Sequence, residues 1–151
     1  MNLRDQLRRD EGVRYVAYQD QFGFWTTSVG HKILLPQEEW MLTAVLTDEQ
    51  VNEILDKDIA IAQAGCMRWD WFPEMDDARQ GSIINMVFNL GLANFFQFHN
   101  TIACIADRNY EGARRNALQS DWAKQLFYDP ANPLASRPGR VTQQLVSGVW
   151  T

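Results

Sequence analysis

Hydrophobic and polar residues follow each other with two different periods along this chain. Near the N-terminus, Leu3 and Leu7 lie four residues apart, which places both on one face of a short helix. Over residues 13–30 the period becomes two, in two runs that flank the loop 19–23, and this pattern predicts a β-hairpin. Gly12 stands between the two patterns, where a left-handed backbone conformation can end the helix.

The remainder of the chain returns to helical spacing. Thr47 and Gln50 form the capping-box pattern at the start of a helix that we expect over residues 48–64. A second helix, over about residues 76–90, is apolar nearly all round, which is typical of a central buried helix. The order of one helix, a hairpin and then several helices predicts an α+β fold that is mostly α with a small sheet.

Composition and charge exclude several classes of function. The chain has 151 residues, 46% of them hydrophobic, which suits one domain or two small lobes that share a long helix. A formal net charge of −5 argues against nucleic acid as a partner, because phosphate binding needs clustered Lys and Arg. No apolar run approaches the roughly 20 residues that cross a bilayer, so we expect no stable membrane insertion.

Two further expectations concern the cysteines and the N-terminus. Two cysteines suit a reducing compartment, where we expect Cys66 and Cys104 to be buried thiols rather than a bridge. They form no CxxC pair and no Cys/His cluster, so we expect no metal site. We also expect no cofactor. The first residues contain no apolar signal segment, and we therefore expect synthesis in the cytoplasm.

Two carboxylates at separate elements are the first candidates for chemistry. Glu11 lies on the last turn of the predicted first helix, and Asp20 lies nine residues later in the hairpin loop. A pair of carboxylates is the usual equipment for acid–base cleavage of an acetal. Each of them alone could equally be an ordinary surface acid, so both interpretations stay open on this spacing.

The residues around these carboxylates resemble a known family. The matching positions are Glu11-Gly12, Tyr18-x-Asp20-x-x-Gly23, Thr26 and Gly30-His31. They stand, without a gap, at the spacing of the phage-type lysozymes, glycoside hydrolase family 24, and Arg79 with residues 84–91 is similar as well. The resemblance implies a lysozyme-like fold with a small N-terminal lobe, residues 12–58, that carries the hairpin. The helix 48–64 would join it to a helical lobe of residues 1–11 and 66–151.

The resemblance also implies roles for the matching residues. Glu11 would be the proton donor, while Asp20 and Thr26 would serve the attacking water. The substrate-binding residues would be Asn85, Asn89, Phe98, Trp122 and Arg137. Alignment of the connecting helix places Asp58 opposite His31, and we expect this pair to tie the hairpin to that helix as a structural contact.

We therefore expect an endolysin-type muramidase that causes bacterial cell lysis. It would hydrolyse β-1,4 bonds between N-acetylmuramic acid and N-acetylglucosamine in peptidoglycan with inversion, because a base and a water need room beside the sugar. It would be a monomer made in the host cytoplasm, and it would act on the wall in the periplasm after a holin has permeabilised the membrane.

Two alternatives stay open. A lytic transglycosylase cleaves the same bond with one acid only, and Asp20 together with Thr26 argues against that mechanism. A catalytically weak or inactive peptidoglycan-binding module on the same fold is the other alternative. It is favoured by the acidic net charge and by Asp121, which stands where relatives carry a basic residue beside the tryptophan.

Overall fold

A computed structural model describes all 151 residues. Eight α-helices and one antiparallel sheet of three strands confirm the predicted α+β class with mostly helix. In chain order, the helices and strands are α1 (Leu3–Glu11), β1 (Arg14–Gln19), β2 (Trp25–Ser28), β3 (His31–Lys32), α2 (Asp48–Cys66), α3 (Asp77–Leu90), α4 (Leu92–Phe95), α5 (His99–Ala106), α6 (Tyr110–Leu118), α7 (Asp121–Gln125) and α8 (Arg137–Ser147). Short 3-10 helices occupy Glu39–Leu42 and Pro133–Ala135. None of the helices combines the length and the apolar character needed to cross a membrane.

The chain divides into two compact units. The sheet unit is Leu3–Ile61, and the helical unit is Met1–Asn2 together with Ala62–Thr151. By this division α1 lies in the sheet unit, and the lobe boundaries expected from the sequence stay a prediction. Polar contacts join α1 to α2: Arg4 pairs with Asp56 at 2.7 Å, and Arg8 donates to Asn52 at 2.9 Å.

The sheet unit is built from the predicted helix and hairpin, with one additional short strand. Its strand order is β1-β2-β3, and Thr26 of β2 lies opposite Tyr18 of β1 and Lys32 of β3. At the end of α1, Gly12 has φ +78° and its N–H donates to the carbonyl of Arg8 at 3.1 Å, as a helix-ending glycine does. The hairpin therefore starts directly at the last turn of α1.

The start of α2 is fixed by the predicted capping box. The Thr47 N–H donates to Gln50 Oε1 at 2.9 Å, and the Gln50 N–H donates to Thr47 Oγ1 at 3.2 Å. These two bonds satisfy N–H groups that have no partner inside the helix.

The helical unit is organised around α3, which is buried along most of its length as predicted. Asp76 caps its first turn by accepting from the Arg79 N–H at 3.0 Å. Gln144 of α8 donates to the Ala78 carbonyl of α3 at 2.7 Å, and a side chain at Gly81 would collide with Trp150. The close approach at Gly81 lets the C-terminal tryptophan pack on the central helix.

Candidate active site

The first predicted catalytic residue, Glu11, is the last residue of α1 and is half-buried. Its carboxylate points toward the turn between β2 and β3. A methyl group built on Gly30 in that turn would lie 3.9 Å from Glu11 Oε2. The glycine, with φ +69°, therefore places no side chain against this carboxylate.

Asp20 lies in the turn between β1 and β2, where the backbone fixes its carboxylate. Asp20 Oδ1 accepts hydrogen bonds from the N–H groups of Phe22 and Phe24, both at 2.9 Å. The same turn is closed by the Gly23 N–H, which donates to the Asp20 carbonyl at 2.9 Å. Asp20 Oδ2 has no hydrogen-bond partner within the protein, so one carboxylate oxygen is oriented by the backbone and the other is available.

Thr26 lies on β2 and is nearly buried, with 3% of its surface exposed. Its hydroxyl donates to the carbonyl of Phe24 at 3.0 Å. Because the hydroxyl hydrogen is used in this bond, the lone pairs of Thr26 Oγ1 can only accept a further hydrogen bond. Asp20 and Thr26 are thus both anchored on the backbone of Phe24, a residue that the sequence patterns did not single out.

The sheet unit therefore contains one half-buried carboxyl group that can donate a proton and two oriented acceptors, Asp20 Oδ2 and Thr26 Oγ1. Asp20 Oδ2 lies in the turn between β1 and β2, and Thr26 Oγ1 lies on β2. A water molecule has two hydrogens, which suit two such acceptors. No group of three or more His, Cys, Asp and Glu side chains is arranged to hold a metal ion. Cys66 and Cys104 are free thiols, and burial raises the pKa of Cys66 to about 12.

The structure brings His31 and Asp58 together. His31 Nδ1 lies 2.9 Å from Asp58 Oδ2, which connects β3 with α2 inside the sheet unit. The other ring nitrogen, Nε2, lies 2.7 Å from Glu38 Oε2, and Glu38 also accepts from the Leu34 N–H at 2.9 Å. We call His31, Asp58 and Glu38 the histidine cluster. Glu38 was missed by the sequence analysis, because the segment around it has no periodic pattern.

The charges of the histidine cluster follow from its hydrogen bonds. The bond with Asp58 raises the pKa of His31 most, partial burial opposes it, the bond with Glu38 adds to it, and the pKa reaches about 9. Burial pushes the pKa of Glu38 upward, but its bonds with the Leu34 N–H and with His31 outweigh burial, and that pKa lies below its ordinary value. At neutral pH His31 is therefore a cation held between two carboxylates.

We expect the histidine cluster to stabilise the fold fully below about pH 6.5, the ordinary pKa of histidine. Since the folded-state pKa of about 9 lies above that value, the stabilisation fades as the pH rises through 9. At about pH 6, Asp58→Asn should lower the free energy of unfolding by about 1.5–3 kcal/mol through the loss of a charge-assisted hydrogen bond. It should also lower the His31 pKa. Urea unfolding and an NMR titration of His31 measure the two effects.

Asp56→Asn is the matched control, because Asp56 lies on the same helix in an exposed pair with Arg4. This control should leave the His31 titration unchanged. The predicted contribution would be contradicted by an Asp58→Asn variant with the same His31 titration and the same stability as the parent chain.

Among the predicted substrate-binding residues, Asn85 and Arg137 form a buried pair inside the helical unit. Asn85 is 0% exposed and Arg137 is 7% exposed. Arg137 Nε donates to Asn85 Oδ1 at 2.8 Å, and its guanidinium also lies 3.4 Å from the Asn85 carbonyl. A fully buried amide offers no surface to a sugar, so the geometry favours Asn85 as the residue that orients Arg137 rather than as a direct substrate contact.

The other three predicted substrate-binding residues lie together. Asn89 Oδ1 accepts from Trp122 Nε1 at 2.9 Å, and the ring of Trp122 meets the ring of Phe98 edge to face at 6.3 Å. Phe98 and Trp122 line a pocket of about 610 Å³. Most of the remaining lining is amide or hydroxyl side chains, namely Asn94, Gln97, Asn100, Thr101, Asn116, Ser120 and Gln125. We call this the amide pocket.

The amide pocket combines aromatic surface with many amide and hydroxyl groups, and His99 and Asp121 also line it. Aromatic rings with such hydrogen-bonding groups are the chemistry that binds a sugar or an amide-rich chain. The two aromatic residues were predicted from the sequence, whereas the amides were not. The amides come from four helices and one loop, so no local pattern joins them.

Comparison with known proteins gives a consistent result. The family model described as Phage lysozyme matches residues 8–135. Probable T4-type lysozyme 1 of Dictyostelium discoideum is 24% identical over 82% of this chain and 86% of its own length. The Endolysin of Acyrthosiphon pisum secondary endosymbiont phage 1 is 28% identical over 91% of this chain and 86% of its own length. The Pre-baseplate central spike protein Gp5 of Enterobacteria phage T4 is 24% identical over 98% of this chain but only 28% of its own length.

Proposed function

The chain belongs to the phage lysozyme family, and we propose that it is an endolysin-type muramidase that hydrolyses peptidoglycan. The bond cleaved is the β-1,4 linkage between N-acetylmuramic acid and N-acetylglucosamine. The observation that carries this proposal is the common anchor of Asp20 and Thr26 on Phe24, which orients one hydrogen-bond acceptor in the turn and one on β2. A hydrolase needs this arrangement for its water, whereas an enzyme that cleaves without water does not.

The proposed reaction begins at Glu11, the proton donor. In its carboxylic acid form, Glu11 gives its proton to the glycosidic oxygen as the bond from C1 of the muramic acid breaks. We place that oxygen beside Glu11 Oε2, on the side of Gly30. After this step Glu11 is a carboxylate and the N-acetylglucosamine carries a free hydroxyl.

The water is the second participant, and Asp20 and Thr26 position it. The water donates one hydrogen bond to Asp20 Oδ2 and one to Thr26 Oγ1, so its lone pair is directed at C1 of the sugar. As the oxygen bonds to C1, the proton it loses passes to Asp20, which acts as general base. Exchange of protons with solvent returns Asp20 and Glu11 to their starting states.

Inversion follows from the place of the water. When a water lies between base and sugar, it attacks the face opposite the leaving oxygen, and the two carboxyl groups stand roughly 6.5–9.5 Å apart. The product anomer is therefore opposite to the substrate anomer. Glu11 at the end of α1 and Asp20 in the turn after β1 lie on different elements, which suits such a separation.

Substrate contacts are proposed in the helical unit. The amide pocket with Phe98 and Trp122 would receive part of the peptidoglycan chain, its amides binding acetamido or peptide groups and its aromatic rings covering apolar faces. Asn89 holds Trp122 through its indole N–H, and Asn85 holds Arg137. We assign positioning roles to these two asparagines.

The setting of the reaction is part of the same proposal. A monomer made in the host cytoplasm would need a holin to permeabilise the membrane before it reaches the wall in the periplasm. Lysis of the cell is then the consequence of cutting its glycan strands.

The products of digestion test the proposed function. We expect purified peptidoglycan to yield muropeptides with intact reducing ends, each about 18 Da heavier than the anhydro product of a lytic transglycosylase, because a water is added. Proton NMR during digestion should show the α-anomer of the new muramic acid end first. Anhydro products would replace the proposal with a transglycosylase, and an absence of both products would favour a binding module without activity.

A further inference from the structure

A second pocket of the helical unit has no part in the proposed function. Its volume is about 280 Å³. Two aromatic side chains, Trp71 and Tyr110, form part of its wall, and two pairs of opposite charges line it as well. The pairs are Glu74 with Arg108, and Asp76 with Arg79. We call it the charged pocket. Its lining lacks the amides that fill the amide pocket.

The two charge pairs differ in how firmly they are held. Arg79 Nη1 lies 2.6 Å from Asp76 Oδ2, and Arg79 also donates to the carbonyls of Leu145 and Val146. Its guanidinium lies 4.6 Å from the ring centre of Tyr110. The Asp76–Arg79 pair is therefore held in place by contacts with α8 and Tyr110. In contrast, Arg108 Nη2 lies 3.1 Å from Glu74 Oε2 with side chains that are 73% and 66% exposed.

An exposed ion pair exchanges partners at little cost, because solvent already weakens it. A ligand with both a carboxylate and an ammonium can separate this pair. Its carboxylate then takes the place of Glu74 beside Arg108, and its ammonium takes the place of Arg108 beside Glu74. The number of charge-assisted hydrogen bonds is then kept or increased. Trp71 and Tyr110 would cover the apolar part of such a ligand.

The backbone of Arg108 makes a clean substitution test possible. Arg108 follows the end of α5 with φ +56°, and its N–H donates to the Ile105 carbonyl at 2.9 Å. The next N–H, that of Asn109, reaches the Cys104 carbonyl at 2.8 Å. Glycine is preferred at this position of a helix end, because other residues are strained in the left-handed conformation. Replacing Arg108 with glycine is therefore expected to relieve backbone strain while removing the guanidinium.

We propose that the charged pocket binds the α-amino-acid end of a peptidoglycan stem peptide, with its carboxylate on Arg108 and its ammonium on Glu74. The free end of a diaminopimelate residue has this chemistry, with both charges on one carbon atom. The chemical class, a zwitterion, follows from the charges of the pocket, and the assignment to a stem peptide rests on the proposed function. A neutral sugar suits the amide pocket instead.

The test is calorimetric titration of the full chain with meso-diaminopimelate. Two comparison ligands are 1,5-diaminopentane, which has the ammonium groups without carboxylates, and chitotriose, which is a neutral sugar. We expect only meso-diaminopimelate to bind, and we expect it to change the NMR chemical shifts of Trp71 and Arg108. Equal binding of 1,5-diaminopentane, or a change of the same chemical shifts on addition of chitotriose, overturns the proposal.

Arg108→Gly is the decisive variant, because it removes the guanidinium and supplies the residue that the backbone prefers. It should leave the thermal stability equal or higher while weakening meso-diaminopimelate binding by about tenfold or more, the equivalent of one charge-assisted hydrogen bond. Arg115→Gln, which removes the same charge from an exposed position on α6, is the matched control and should bind as the parent chain does. Undiminished binding by Arg108→Gly overturns the proposal.

The result is separable from the proposed function, because free meso-diaminopimelate contains no glycosidic bond. A chain that cuts peptidoglycan but does not bind meso-diaminopimelate contradicts only the charged-pocket assignment. A chain that binds it but leaves peptidoglycan uncut supports the assignment of the pocket and contradicts the muramidase.

Discussion

Glu11→Gln should slow peptidoglycan hydrolysis by about 10²–10⁴-fold, the usual contribution of a general acid, and leave the chain folded. The amide has almost the shape of the carboxyl group but cannot supply the proton that the leaving oxygen needs. Glu11 ends α1 near Gly30 of the turn between β2 and β3. We expect the thermal stability to stay equal or to rise slightly, since catalytic groups are often placed at some cost to stability.

A turbidity assay on Gram-negative cells stripped of their outer membrane measures this effect, with thermal unfolding in parallel. Glu53→Gln is the matched control, because Glu53 is an exposed glutamate on α2 of the same unit. The control should lyse cells like the parent chain. Lysis at the parental rate by Glu11→Gln would end the assignment of Glu11 as proton donor.

Local patterns explain why much of this structure could be predicted. The capping box at Thr47 and Gln50 and the glycine that ends α1 depend on residues within four positions of each other. The alternation that predicted the hairpin depends on neighbours in the same strand. The resemblance to the phage-type lysozymes added the pairing of His31 with Asp58, 27 residues apart, which no periodic pattern indicates.

The features that the sequence did not predict are contacts between distant segments without a periodic pattern. Glu38 reaches His31 from a segment that contains only one short 3-10 helix. Asn85 lies on the polar flank of a predicted helix, yet it is fully buried, because Arg137 of α8 reaches it from 52 positions away. A periodic pattern gives the face of a helix that a residue occupies, but not which distant side chain covers that face.

The anchor role of Phe24 is hidden for a different reason. Phe24 acts through its backbone, whose N–H donates to Asp20 and whose carbonyl accepts from Thr26. Any residue has these groups, so the identity of the side chain carries no signal. The candidate catalytic residues Asp20 and Thr26 could be selected from the sequence by resemblance, whereas the backbone of Phe24 that orients them became visible only in the fold.

Thr26→Glu should convert the proposed hydrolase into a chain that becomes covalently bound to its substrate. The new carboxylate would occupy the place of the water, between Asp20 Oδ2 and C1 of the sugar, and would attack C1 itself. Glu11 would still protonate the leaving oxygen, so an ester between residue 26 and the muramic acid would form. Because the side chain has displaced the water that would hydrolyse this ester, the ester should accumulate.

Thr26→Gln is the matched control, since it has nearly the same size as the glutamate variant without a nucleophilic carboxylate. It should lose turnover through the loss of the water site, with no covalent product. Comparing the two variants therefore separates displacement of the water from attack on the sugar.

The intact mass of Thr26→Glu after incubation with peptidoglycan tests most directly whether Asp20 and Thr26 border the water of a hydrolase. The account predicts a protein mass increased by one muropeptide in Thr26→Glu, and the unmodified mass in both Thr26→Gln and the parent chain. Normal turnover by Thr26→Glu without an added mass would contradict it, because Thr26 would then not border the water that attacks the sugar.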